Sequence, residues 1–179
     1  MGNIAGKLIV GGLVLTGLIA GIAIWYLQIY AFYEEVKGDG VTDVQLTSVI
    51  TGEAEPILYS GYKAIDAGSS PIRYRACFLT EQSQALLTET YEVLERAEPR
   101  VAPGWFDCFD AEAIGEDLVG GSAVAFMGTR NIEFGIDRIV AVYPDGRGYV
   151  WHQINECGDK AYDGSPLGAD CPDRNLEAE

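Results

Sequence analysis

The chain has 179 residues, with 27 Asp and Glu against twelve Lys and Arg, and a formal net charge of −15 at pH 7. Lys7 alone among the cations precedes residue 34, so residues 34–179 hold eleven Lys and Arg against all 27 acids, a formal −16. Such a domain is a poor partner for nucleic acid, whose phosphates require cations, and it is repelled by anionic lipid headgroups.

No charged residue occurs from Leu8 to Tyr33. As a helix these positions would extend roughly 39 Å, more than the roughly 30 Å hydrocarbon core of a bilayer. Trp25, Tyr26, Tyr30, Phe32 and Tyr33 crowd the C-terminal end, where amphipathic rings suit the lipid–water interface. Residues 1–33 are therefore expected to be a transmembrane anchor. A cleavable signal peptide is the alternative, with Gly21-Ile22-Ala23 as its processing site. Its apolar stretch should be about 7 to 15 residues, shorter than this one. Lys7 before the span and Glu34 and Glu35 after it place the N-terminus in the cytoplasm by the positive-inside rule. Within the span, Gly17 and Gly21 with Thr16 and Ala20 form a strip of small residues that lets a second helix approach closely. Such glycines are also common background in membrane helices.

Residues 34–43 read as a linker. Residues 44–156 read as an α+β domain, an antiparallel sheet carrying two helices, and residues 157–179 as an irregular tail. Strands are expected at 44–50, at 57–65 with a bulge or turn near Gly61, and at 72–79 with Ile72, Tyr74, Ala76 and Phe78 on one face. Thr80 to Ala97 reads as a helix capped by Thr80, with Leu87, Tyr91 and Leu94 on one stripe and Pro99 ending it. A second, shorter helix should start near Asp110, place Ile114 and Leu118 one turn apart, and stop at Gly120-Gly121. Ser122 to Met127 follows as strand. Residues 138–154 read as a hairpin turning at Pro144-Asp145-Gly146.

Cys77, Cys108, Cys157 and Cys171 all follow the span, and an even count in an exported domain suggests two disulfides. Three connectivities are open. Cys77–Cys108 and Cys157–Cys171 are favoured because each closes a local segment, the first tying a strand to the loop after a helix and the second pinning the tail. A zinc site would need closely spaced cysteines and more histidine than His152 alone supplies.

Three stretches stand out together: YLQIYAFYEEV at 26–36, WFDCFDAEAIGEDL at 105–118 and GIDRIVAVYPDGRGYVWHQINECG at 135–158. They resemble a family of small, uncharacterised α-proteobacterial proteins, a domain of unknown function, over nearly the whole chain including the anchor and all four cysteines. The resemblance implies a bacterial inner membrane with the domain in the periplasm, and supplies no catalytic residues.

His152 is the only histidine. A catalytic base would need an activated Ser, Cys or Thr beside it, and none is evident, so a structural hydrogen bond is the expected role. The acid pairs Asp107/Asp110 and Glu116/Asp117 invite comparison with glycosidase carboxylates, but 27 acids make chance pairs unavoidable. Asp159, Asp163, Asp170 and Asp173 lack calcium-loop spacing. Arg130, Arg138 and Arg147 are expected to pair with neighbouring acids. The chain is read as a non-enzyme without cofactor or metal. The expected role is an accessory subunit or assembly factor of an inner-membrane, respiratory complex, with an acidic face for other membrane subunits or a basic partner such as a c-type cytochrome. A self-associating periplasmic binding or sensor domain and a small envelope enzyme using His152 are the alternatives.

Overall fold

The computed structural model describes residues 3–166, 168, 171 and 172. They divide into two units, Met1–Tyr33 and Glu34–Glu179.

The first unit is helix α1, Asn3–Ile29. Its stretch Ile4–Ile29 has a mean hydropathy of 2.3 and is long and apolar enough to cross a bilayer. Thr16 returns its hydroxyl to the carbonyls of Gly12 and Leu13, both at 3.0 Å, which leaves the strip with Gly17 and Gly21 free of an exposed polar group. The helix stops four residues before Tyr33. Tyr30 folds back so that its ring meets Trp25 at 5.3 Å and Tyr26 at 6.0 Å, while Phe32 and Tyr33 follow the helix.

The second unit holds a six-stranded antiparallel sheet in the order β1-β4-β5-β8-β7-β6 and a two-stranded ribbon β2-β3. Its elements are β1 (Glu34–Val36), β2 (Gln45–Thr47), β3 (Ala54–Pro56), β4 (Ser60–Asp66), a 3-10 turn at Pro71–Arg73, β5 (Arg75–Leu79), α2 (Gln84–Thr90), α3 (Ala111–Gly120), β6 (Val124–Glu133), β7 (Ile136–Val142) and β8 (Arg147–Ile154). The expected antiparallel domain with two helices and paired cysteines is present. The bulge near Gly61 is too: the β4–β5 register shifts between Ser60 and Lys63.

Three expectations need correction. Glu34–Val36, expected in the linker, form edge strand β1 on β4. The helix expected over Thr80–Ala97 is only Gln84–Thr90, capped by Ser83, whose side chain accepts from Leu86 N–H. Thr80 instead continues the strand: its N–H bonds Gly146 O at 2.8 Å and its hydroxyl bonds Leu58 O at 2.9 Å. Beyond Thr90 the chain extends along β6, with Met127 N–H bonding Glu92 O and Leu94 N–H bonding Ala125 O, which covers part of an otherwise open sheet edge. Strand β6 also runs on to Glu133, well past Met127.

Alternation along the strands separates two faces. On one, Tyr74, Ala76, Phe78, Phe126, Val140, Val142 and Val150 pack with Val44 and Leu46 from around β2, with Ile57, and with Leu87 of α2. On the other, Arg75 and Cys77 lie opposite Trp151 and Tyr149. The segment before α3 closes that side. Phe109 meets Tyr149 at 5.8 Å and Trp151 at 6.4 Å, and Cys108 is bonded to Cys77. Buried Arg75 donates to the carbonyls of Arg100 (2.6 Å), Val101 (3.2 Å), Ile72 and Tyr74.

Gly148 lies directly opposite Phe78, and a Cβ there would enter the phenyl ring. Gly148→Ala should therefore destabilise the domain by about 2 kcal/mol, the usual scale of overpacking, read as a lower urea midpoint. An unchanged midpoint would mean that the Phe78 ring has room to move.

Candidate functional site

His152 follows Trp151 on β8 and so points to the opposite face. Its ring stacks on Tyr74 at 4.8 Å and 17°. Arg138, its cross-strand partner on β7, donates from Nε to His152 Nε2 at 3.1 Å. Arginine is only a donor, so Nε2 accepts and Nδ1 carries the proton, which it donates to Pro71 O at 2.6 Å. Both ring nitrogens are thus engaged. Burial chiefly, with help from the positive charges of Arg138 and Arg75, pushes the imidazole pKa down to about 4. This is a neutral, structural histidine, and its lone pair is already spent.

Arg138 departs from the expected pairing with acids. Besides His152 it donates to Thr42 O at 2.9 Å and lies 4.4 Å from the centre of the Tyr74 ring. Arg130 pairs with Glu92, and Arg147 with Asp145 at 2.7 Å, as expected.

Around Tyr74 lies a buried polar layer that sequence reasoning missed. Tyr62 and Tyr74 share a hydroxyl–hydroxyl bond, and Tyr59 donates to Asp43. Asp43 also accepts the N–H groups of Asp39 at 2.6 Å and Gly40 at 2.7 Å. Burial first, and the Asp43 carboxylate next, push the Tyr59 hydroxyl up to about 12. Burial likewise raises Tyr62 and Tyr74. The tyrosine spacing gave no signal of this layer, because it joins β4, β5 and the 39–43 loop.

One member of each acid pair has a structural occupation. Asp110 caps α3, accepting from Glu112 and Ala113 N–H, and Asp117 accepts the Tyr143 hydroxyl at 2.8 Å. Among the described residues no group of three or more His, Cys, Asp or Glu is placed to hold a metal. Asp170 and Asp173 lie outside the described residues, as do residues 174–179 of the expected tail. Cys157 is bonded to Cys171, with Cα atoms 5.5 Å apart, and Cys77 to Cys108 at 6.4 Å, the favoured connectivity.

Of the several clefts among the described residues, two are larger than 500 Å³. One, of about 660 Å³, is polar and includes Arg130, Asn131, Asp137, Asn155 and Glu156. Its groups bond each other: Asp137 Oδ1 accepts from Asn131 N–H at 2.8 Å and from the Asn155 amide at 2.7 Å. The other, of about 560 Å³, lies between β1–β4 and the segment before α3, lined by Glu35, Lys37, Lys63, Trp105, Phe106 and Asp107 among others. The register pairs Val36 with Ala64, so Lys37, just past the end of β1, comes near Lys63 of β4, and both line the cleft. Lys63 also pairs with Cys77, and the Cys77–Cys108 bond holds Trp105–Asp107 beside it. Aromatic and charged groups converge in this cleft, and it is the candidate site. The sequence reading did not bring Lys37, Lys63 and Trp105 together.

No curated protein and no solved structure matches the chain. The profile of a family described as of unknown function, DUF6446, matches residues 44–172. The match covers every strand from β2 to β8, the tyrosines Tyr59, Tyr62 and Tyr74 of the buried layer and all four cysteines, and the chain belongs to this family, DUF6446.

Proposed function

We propose that this chain is a non-enzymatic accessory subunit or assembly factor of a bacterial inner-membrane complex of respiratory type. Its N-terminus would lie in the cytoplasm and its acidic domain in the periplasm. One observation carries the reading: a 26-residue stretch without charge leads into a domain with eleven Lys and Arg against 27 Asp and Glu. The span supplies a surface for neighbouring helices. The acidic domain supplies long-range attraction for a basic partner such as a c-type cytochrome. The engagement of both His152 nitrogens speaks against the envelope-enzyme alternative. The 560 Å³ cleft favours a second reading, a self-associating periplasmic binding or sensor domain.

Pull-down of the tagged full chain in a gentle detergent separates the two. Recovery of identified oxidase or cytochrome subunits, released as salt rises, supports the accessory role, whereas self-association alone supports the second. Replacing Gly17 and Gly21 together by Leu should abolish co-purification at unchanged expression and disulfide content, because the added side chains hold the partner helix away. Leu13→Ile with Leu15→Ile should leave it intact. Full co-purification of the double-Leu protein would move the binding surface to the acidic domain.

A further inference from the structure

We infer that the cleft between β1–β4 and Trp105 binds a zwitterionic phosphodiester–amine group, the chemistry of a phosphatidylethanolamine or phosphatidylcholine headgroup. Like charges brought together in one cleft repel, and Lys37 and Lys63, which line it together, are both exposed and make no ion pair with a described residue. A phosphate between them removes that repulsion and satisfies several ammonium donors at once. The same cleft carries two carboxylates, Glu35 and Asp107, and the ring of Trp105. Acid and aromatic face together hold an alkylammonium. Two cations and two anions make the lining neutral in a domain of formal charge −16. Such a lining suits a ligand that carries both signs and no net charge.

The volume of about 560 Å³ lies within the usual range of small-molecule sites. Anionic lipids are disfavoured by the domain as a whole, while a zwitterionic headgroup meets no net repulsion. A lipid source follows from chain order: Glu35 and Lys37 come within a few residues of the apolar stretch that ends at Tyr33. That part rests on the anchored reading above. A free phosphodiester of the same chemistry is the alternative source.

The test uses the full chain in an uncharged sugar detergent, with amide signals of Lys37, Gly38 and Lys63 and the Trp105 indole followed by NMR. Glycerophosphoethanolamine should shift all four in a saturable way, and inorganic phosphate should do so at least about tenfold more weakly, since it lacks the amine. Lys37→Gln with Lys63→Gln should weaken the binding about tenfold or more with both disulfides intact, while Lys160→Gln should not. In nanodiscs of phosphatidylethanolamine the shifted positions should be present without additive, which assigns the lipid source. Shifts with the soluble ester but not in nanodiscs would assign a free one. The inference is overturned by absence of shifts with both, by equal binding of inorganic phosphate, or by unchanged binding in the double-Gln protein. The soluble arm needs no membrane, and intact mass reports whether α1 is retained, so failure of the anchored reading shows separately.

Discussion

Between pH 7 and pH 4.5 the protein should lose about 2 kcal/mol of stability that a His152→Gln variant does not lose. The cause is proton uptake on unfolding. In the native state the imidazole stays neutral down to about pH 4, whereas the unfolded side chain protonates near 6.5. The folded pKa is therefore the lower one. The stabilisation is complete above about pH 6.5 and is lost as pH falls through the window, the full loss reaching about 3 kcal/mol below pH 4. Protonation would place a second donor against Arg138 Nε, in a site where Arg75 is also near. Glutamine is neutral throughout, so the variant should start lower at pH 7, having lost the Tyr74 stack, yet fall less steeply. Carboxylates that titrate near pH 4 do so in both proteins and cancel in the comparison. Urea midpoints at pH 7, 5.5 and 4.5 measure the difference. Parallel pH profiles for the two proteins would show that His152 does not stay neutral in the fold.

Removing the Cys77–Cys108 bond by Cys77→Ala with Cys108→Ala should destabilise the domain by about 3 to 4 kcal/mol. The cysteines are 31 residues apart, and the freed unfolded chain gains loop entropy on that scale. For a domain of this size the loss is about 10 °C in Tm. The Cys157–Cys171 pair closes 14 residues and should contribute about 3 kcal/mol. The two should differ more in consequence than in magnitude. The first ties down the segment over buried Trp151, so its loss should red-shift the tryptophan emission before global unfolding, while loss of the second should not. A Tm within 2 °C of wild type for the first variant would mean that the Arg75 hydrogen bonds to Arg100 and Val101 hold that segment unaided.

What the sequence showed plainly was local. Helix α3 was readable because its cap, apolar positions and stop signal are its own: Asp110 holds the first N–H groups, Ile114 is buried, and Gly121 ends it in left-handed backbone with φ 76°. The β7–β8 hairpin was readable for the same reason, with alternation on both sides and Gly146 at φ 86° in the turn. The long helix expected from Thr80 failed because its second half has a stronger partner elsewhere. Leu87 and Tyr91 do share a stripe, but Leu94 gives its N–H to Ala125 of β6, and no local pattern reports a strand thirty residues away. Strand β1 was hidden by its composition, since Glu34-Glu35-Val36 shows neither alternation nor β-branched enrichment. The cleft was hidden more completely. It depends on the approach of Lys37 to Lys63, which exists only once β1 pairs with β4, and on a disulfide that carries Trp105 to their side.

The strand order has a consequence for how the chain reaches this state. The centre of the sheet is the β5–β8 pairing, with Arg75 beside Trp151, and every strand on the β4 side joins those on the β6 side through it. A ribosome or translocation channel releases residues from the N-terminal end, so the β4–β5 hairpin emerges early with one flank bare. It must remain so until β8, the last strand, has followed. Contacts this distant in sequence are slow to form and leave unpaired strand edges exposed meanwhile. Chains truncated before Arg147 should therefore be held by chaperones or degraded rather than folding in halves, and Cys77 and Cys108 should stay open to thiol reagents until the final strand is delivered.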